Sequence, residues 1–113
     1  MGLGYIGLPT AIIAARHGNI EVTGVDINPK VVEMTNHGKL HIVEPGIETM
    51  LQEVVASGRL KASTSPETAD AYFIVVPTPF KGDHQPDTSY VEAATRSIAP
   101  LLKKGDLYVI EST

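Results

Sequence analysis

Three glycines near the start of the chain could bring the N-terminus of a helix up to an anion. They are Gly2, Gly4 and Gly7, and apolar residues at helical spacing follow them. At this spacing the first glycine permits a tight turn out of a strand, the second leaves room for backbone to approach a phosphate, and the third lets the helix pack closely on the sheet. The N–H groups of Tyr5 and Ile6 would face the anion, with the positive end of the helix dipole behind them. The stretch is typical of a turn that holds the pyrophosphate of a dinucleotide.

A carboxylate at Asp26 fits the same kind of site. It follows the strand-like residues 22–25 and lies 19 positions after Gly7, close to the roughly 20 expected for an acid that accepts both hydroxyls of the adenosine ribose. Such a carboxylate would repel a 2′-phosphate, so the pattern favours NAD over NADP. The alternative is a strand-end aspartate that only opens the turn before Asn28 and Pro29.

The elements needed to position these residues follow from the apolar pattern of the rest of the chain. Helical patterns run after Gly7, over residues 29–37, over residues 47–57 and over about residues 88–102. Strand patterns lie at residues 22–25, 60–62, 71–76 and 107–110. The alternation of strand and helix predicts an α/β fold with a Rossmann-like, doubly wound parallel sheet.

The carboxyl ends of the later strands should meet the same site. Two prolines flank Thr78 just after residues 71–76, and ligands bind at this edge of open α/β sheets. Thr78 would then offer a hydroxyl near the ribose end of a cofactor, although a rigid turn without contact is the alternative. Thr113 reaches the same edge after residues 107–110. Residues 81–87 are polar and predict a mobile loop over it.

The sheet as printed apparently lacks its first, central strand. A strand of roughly five residues should enter the glycine turn, yet Met1 directly precedes Gly2. Its neighbours should be residues 22–25 on one side and residues 71–76 on the other. We therefore expect that residues precede Met1, or that a strand from another copy fills the gap.

Composition narrows the function classes. The 113 residues suit one domain, and a net charge of −4 without a basic run argues against nucleic acid or an anionic membrane as partner. With no cysteine there is no disulfide, thiolate metal site or cysteine nucleophile in these residues. The four histidines lack metal-ligand spacing. We expect no metal and a cytoplasmic setting.

The chain resembles the N-terminal region of the UDP-sugar/GDP-mannose 6-dehydrogenase family over essentially all 113 residues. The stretches that carry the resemblance are residues 2–9, 24–28, 41–46, 76–83 and 111–113. The Pro-Phe-Lys-Gly-Asp form of residues 79–83 resembles the N-acetylmannosamine branch rather than the glucose branch. The resemblance implies that residues 1–113 are the N-terminal NAD-binding domain of a larger enzyme.

Residue roles follow from the resemblance position by position. Tyr5 and Ile6 would contact the NAD pyrophosphate through main chain, and Asp26 would hold the adenosine ribose. Thr78 and Thr113 would lie along the nicotinamide half, with Thr113 near the reacting carbon. Residues 41–46 would be an active-site segment, with an ordinary connecting loop as the alternative.

The resemblance also implies a reaction. Members of the family oxidise the C6 alcohol of a nucleotide sugar to a carboxylate with two NAD, through a thioester on a cysteine. That cysteine and a catalytic lysine belong to a later region, so this piece alone should be inactive. A UDP-sugar substrate and a homodimer are expected for the parent enzyme.

Two other functions remain open on the sequence. One is a non-catalytic NAD-binding regulatory module, and the other is a dehydrogenase of the 6-phosphogluconate or hydroxyacid type. Residues 41–46 and 77–83 count against both, because neither function needs them.

Overall fold

The computed structural model describes residues 1–4, 6–17, 20–41, 46–76, 80–81, 85–86 and 88–111, with residues 80–81 and 85–86 described through their backbone only. The helices are α1 (Gly7–Arg16), α2 (Pro29–Asn36), α3 (Glu48–Ala56) and α4 (Ser89–Ile98), and a 3-10 helix at Ala99–Leu101 follows α4. The strands are β1 (Val22–Val25), β2 (Leu60–Ser63), β3 (Ala71–Ile74), β4 (Phe80–Lys81), β5 (Gln85–Pro86) and β6 (Leu107–Ile110).

The parallel strands form two pairs, and the first residues of the chain lie between them. β1 pairs with β2 and β3 pairs with β6, both in parallel. Gly2 donates to the carbonyl of Val25 at the end of β1, and Met1 accepts from Val75 just after β3. The order is therefore β2, β1, residues 1–2, β3, β6. This confirms the predicted Rossmann-like order, in which the strand entering Gly2 sits between the other two.

Each half of the molecule has its own apolar core. The larger core packs α1 and α3 against the first pair of strands, and its fully buried side chains include Leu3, Leu8, Ile12, Leu51 and Leu60. The smaller core lies between β3 and α4 and is formed by Tyr72, Ile74, Ala94 and Ile98. The two cores follow the division of the sheet into two pairs.

Local sequence signals explain where the helices begin and end. The side chain of Asn28 accepts from the N–H of Lys30, and Pro29 occupies the first helical position of α2. Gly38 follows that helix at φ +71°, a conformation that other residues rarely adopt. Pro100 cannot donate to the helical ladder, and the chain from residue 99 to residue 101 tightens into a 3-10 turn as a result.

Two local expectations differ from the structure. The polar residues 81–87 predict a mobile loop, but β4 and β5 pair antiparallel through two residues each. A ladder of two residues is too short to show the alternation of apolar and polar residues that marks a strand. β3 has Tyr72 and Ile74 buried but Ala71 and Phe73 exposed, whereas its continuous apolar run predicts cover on both faces.

Candidate cofactor site

The glycine turn is built so that side chains would not fit at two of its positions. Gly2 has φ +96°, and a Cβ there would overlap the carbonyl oxygen of Val75. A Cβ on Gly7 would overlap the carbonyl oxygen of Gly2. The backbone just after β3, the turn and the start of α1 are therefore in direct contact, which is the tight turn and close helix approach that the spacing predicts.

Gly4 differs from the other two glycines because it faces open space. A Cβ built on Gly4 has no heavy atom of the described residues within 4 Å, and its φ is not in the left-handed region. The fold therefore does not need glycine at this position for its own packing. A bare backbone beside open space is what close approach by a phosphate requires.

The N-terminus of α1 opens onto that space. Leu8 donates to the carbonyl of Gly4 at 3.0 Å, and Thr10 donates to that of Ile6 at 3.1 Å. The N–H groups of Ile6 and Gly7 precede these donors and lie in the first turn, where helices have no internal acceptors. The first turn of α1 holds no acidic residue, so no carboxylate of its own offsets the positive end of the dipole.

Asp26 lies against this turn at the end of β1. Its Oδ2 accepts from the N–H of Leu3 at 3.1 Å, and its Oδ1 accepts from the N–H of Asn28 at 2.9 Å. A carboxylate offers about four acceptor positions, so each oxygen keeps one for a further donor. The side chain is half-buried and is oriented by both bonds, which makes it a preformed acceptor for a pair of hydroxyls.

Ile27 is a residue of this site that the sequence patterns did not single out. Its side chain is 86% exposed and directly follows the carboxylate. An aliphatic side chain held in the open beside an acid gives a flat aromatic ring an apolar surface. In the sequence, the feature that could have indicated it is an isoleucine that follows a strand but belongs to no regularly spaced run of apolar residues.

The structure brings five of the predicted cofactor residues together. Gly2, Gly4, Ile6, Gly7 and Asp26 gather where β1 and the glycine turn meet α1. Tyr5, Thr78 and Thr113, and residues 42–45 of the predicted active-site segment, lie outside the described residues. In the part of that segment that is described, Nδ1 of His41 is buried and has no hydrogen-bond partner among the described residues.

The described residues offer neither a metal site nor a membrane span. No group of three or more histidine, cysteine or acidic side chains there could hold a metal ion. None of the helices formed by those residues combines the length and the apolar character needed to cross a bilayer.

The observed geometry fits a dinucleotide. An open bare backbone at Gly4, a helix N-terminus without an acid and an oriented carboxylate at Asp26 match the pyrophosphate and the ribose of such a ligand. Ile27, which directly follows this carboxylate, is exposed and would offer apolar surface to a base.

Comparison with known proteins gives the same type of ligand. The model of the UDP-glucose/GDP-mannose dehydrogenase family, NAD binding domain, matches residues 1–113. A UDP-N-acetyl-D-mannosamine dehydrogenase of Campylobacter jejuni is 57% identical over 100% of this chain and 28% of the relative. An NDP-N-acetyl-D-galactosaminuronic acid dehydrogenase of Ralstonia nicotianae is 56% identical over 100% of this chain and 26% of its own length.

A solved structure agrees with the fold. The UDP-N-acetyl-mannosamine dehydrogenase of Staphylococcus aureus superposes with a TM-score of 0.96 at 48% identity, covering 100% of this chain and 27% of that one. The chain thus spans about a quarter of the length of the relatives that it matches.

Proposed function

This chain belongs to the UDP-glucose/GDP-mannose dehydrogenase family, and we propose that it is the N-terminal NAD-binding domain of a UDP-N-acetylmannosamine dehydrogenase. The parent enzyme would oxidise the C6 alcohol of UDP-N-acetylmannosamine to the carboxylate of UDP-N-acetylmannosaminuronate in bacterial surface-polysaccharide synthesis. The C. jejuni and S. aureus proteins that resemble this chain are named for the same sugar.

The contact between Asp26 and Leu3 carries the proposal. That hydrogen bond fixes a carboxylate against the backbone of the glycine turn, so ribose and pyrophosphate could be held by adjacent groups. A carboxylate so placed accepts from the 2′-hydroxyl of NAD and repels the 2′-phosphate of NADP. The site is therefore selective for NAD.

When bound, NAD would supply the hydride acceptor for both oxidation steps. The residues of this chain would bind and orient it. The N–H of Ile6, together with that of Tyr5, would donate to the pyrophosphate, and Asp26 would accept from the adenosine ribose. Thr78 and Thr113 would lie along the nicotinamide half, which would place the reacting carbon near the carboxyl ends of the sheet strands.

A second substrate is supported by one of the relatives. The R. nicotianae protein is named for an N-acetylgalactosaminuronic acid and is 56% identical to this chain, nearly as similar as the mannosamine enzymes. UDP-N-acetylgalactosamine is therefore the second candidate. A non-catalytic module is less well supported, because the relatives at this identity are named as dehydrogenases.

The partners and setting of the parent enzyme belong to the same proposal. A UDP-sugar is the small-molecule partner, the assembly is a homodimer, and the location is cytoplasmic. The net charge of −4 gives neither nucleic acid nor an anionic membrane an electrostatic attraction.

The test is made on the parent protein that contains this chain. NADH formation is followed with UDP-N-acetylmannosamine, UDP-N-acetylgalactosamine and UDP-glucose in turn, each with NAD and with NADP. The expected result is the highest kcat/KM for the mannosamine substrate with NAD. NAD binding without turnover of any UDP-sugar would support the regulatory module, and equal use of NADP would contradict the role of Asp26.

A further inference from the structure

Gly24 lies inside β1, where a glycine weakens a strand because it has no side chain to pack. The residue is nonetheless buried. Glycine in the interior of a strand often marks a place where another part of the chain comes close to the backbone. A Cβ built on Gly24 would lie 2.7 Å from Cδ2 and 3.2 Å from Cδ1 of Leu3. The close neighbour of Gly24 is therefore the side chain of Leu3, which lies between the first two glycines of the turn.

The side chain of Leu3 has little room to move away. Leu3 is 1% exposed and belongs to the larger core, beneath α1 and α3. Both of its terminal methyl groups would be too close to a Cβ on Gly24, whereas its Cγ, at 3.5 Å, would be in ordinary contact. A rotation that exchanges the two methyl groups would therefore not relieve the overlap. In a closely packed core, an added methyl group shifts its neighbour or forces it out of its rotamer.

The strand that carries Gly24 is held more firmly than the turn. Gly24 pairs with Ala62 in the parallel ladder of β1 and β2, and backbone hydrogen bonds tie both ends of β1 to the same side. The side chain of Asn36 in turn donates to the carbonyl of Ala62 at 2.9 Å and accepts from its N–H at 2.8 Å. A larger residue at position 24 would consequently displace Leu3 rather than the strand.

The backbone of Leu3 orients the carboxylate of Asp26. Its N–H donates to Oδ2 at 3.1 Å, near the long end of the usual range for such a bond. A retreat of Leu3 by a few tenths of an ångström would therefore weaken or break the bond. Side chains alternate between the faces of a strand, so positions 24 and 26 point to the same face. The space left by Gly24 thus determines whether Leu3 can reach Asp26.

The orientation of this carboxylate matters most for the choice between NAD and NADP. In the proposed site Asp26 accepts from a 2′-hydroxyl and repels a 2′-phosphate. Both effects depend on the positions of its two oxygens. A carboxylate that has lost its bond to Leu3 would bind NAD less tightly and discriminate less against NADP. A change that lowered only the stability of the fold would leave the ratio of the two affinities as it was.

We propose that Gly24 is a positioning residue for the selection of NAD over NADP. It leaves the space in which Leu3 packs, and Leu3 thereby holds Asp26 in the orientation that prefers a 2′-hydroxyl. Gly24 acts through these two residues and does not itself touch the ligand. The inference rests on the proposed function in one respect, that the site binds NAD, and it holds for any UDP-sugar that the parent enzyme oxidises.

The test uses the parent protein that contains this chain, and calorimetric titration gives its dissociation constants for NAD and for NADP. Gly24→Ala should lower the preference for NAD, expressed as the ratio of these constants, by at least about fivefold. This is part of the loss of about one to two orders of magnitude expected when Asp26 is removed. Adding Leu3→Val to Gly24→Ala leaves no side-chain atom beyond the Cγ position. The double variant should restore the ratio to within about twofold of the unaltered protein.

Val22→Ala is the matched control. Val22 lies two positions before Gly24, on the same face of β1, and packs against the same core. Its truncation should lower the midpoint of thermal unfolding by a few degrees. The ratio of the dissociation constants for NADP and NAD should stay within about twofold of the original.

Four outcomes would overturn the inference. An unchanged ratio in Gly24→Ala would do so without affecting the proposed function, provided that the unaltered protein prefers NAD. An equal fall in Val22→Ala would mean that lost stability explains the change. A double variant that keeps the low ratio, or that fails to fold as Gly24→Ala might, would exclude the role of Leu3; if only the double variant folds, its original ratio supports the inference. Equal affinity of the unaltered protein for NAD and NADP would contradict the proposed site and the inference together.

Discussion

Oδ2 of Asp26 accepts the main-chain N–H of Leu3 at 3.1 Å, across 23 positions of sequence. This bond joins the end of β1 to the glycine turn, so the acid and the turn are one unit. The other carboxylate oxygen of Asp26, Oδ1, accepts from the N–H of Asn28, the capping residue of α2. Three segments of the proposed NAD site are therefore oriented by one side chain.

The first prediction concerns this carboxylate. Asp26→Ala should weaken NAD binding by about one to two orders of magnitude, since loss of a charge-assisted hydrogen bond costs roughly 1.5–3 kcal/mol. Calorimetric titration with NAD measures the change. Glu33→Gln removes the same charge from the exposed side of α2 and should leave NAD affinity within about twofold. An equal loss in both variants would mean that net charge, rather than Asp26 itself, is responsible.

The parts of the fold that could be predicted are those set by local chemistry. The stripe of Leu8, Ala11, Ile12 and Ala15 and the cap of Asn28 define α1 and α2 within a residue or two. The order of the strands also follows, because the glycine turn requires a central strand between β1 and β3.

Contacts between distant segments could not be predicted. The pairs Asp26 with Leu3 and Asn36 with Ala62 join residues 23 and 26 positions apart, and no pattern along the chain encodes them. Ile27 was missed for a related reason: its exposure matters only because the fold places it beside the carboxylate. The β4–β5 ladder has two residues on each side, too few for a period of two to be recognised.

The second prediction separates binding from folding at Gly4. Gly4→Val should leave the fold intact, because a Cβ at this position meets no atom of the described part of the chain within 4 Å. The same side chain would fill the space beside the first turn of α1 where a phosphate would lie, so NAD binding should be lost. Titration with NAD tests the binding, and a thermal melt within about 4 °C of the unchanged chain confirms the fold. NAD affinity within a factor of about two would show that the turn does not hold phosphate.

The third prediction is the opposite behaviour at Gly7. Gly7→Ala should destabilise the chain by about 1–3 kcal/mol, because the added Cβ would overlap the backbone carbonyl of Gly2, which cannot turn aside as a flexible side chain would. Urea unfolding measures the change in free energy. Ala11, one turn further along α1, already carries a Cβ in the same core. Ala11→Gly serves as a comparison whose cost adds the loss of one buried methyl group, about 0.8 kcal/mol, to about 1 kcal/mol of helix propensity. A stable Gly7→Ala chain would contradict the close approach of α1 to the turn.

The fourth prediction tests the double hydrogen bond that closes the edge of β2. Asn36→Ala removes both bonds to the backbone of Ala62 and should cost about 1–3 kcal/mol in unfolding free energy. Asn36→Asp keeps an acceptor for the N–H of Ala62 but has no donor for its carbonyl, so its loss should be intermediate. Urea unfolding ranks the three chains. Equal stability of the original chain and Asn36→Ala would mean that water replaces the amide without penalty.

The fifth prediction concerns pH and the chain with a free amine at Met1. Burial lowers the pKa of this amine below its ordinary value of 8.0, against a smaller opposing effect from Asp26. The unfolded chain therefore binds more protons than the folded chain between the lowered pKa and 8.0, and stability should rise with pH across that window and level off above it. Acetylation of the amine removes this titration but leaves every other ionisable group unchanged. Urea unfolding from pH 6 to pH 9 should show that the acetylated chain is the more stable one at low pH, with the difference shrinking as pH approaches 8. If the difference in unfolding free energy between the two chains does not change with pH, the amine has the same pKa in the folded and unfolded chain. The amine would then keep its hydration when it bonds to the carbonyl of Phe73.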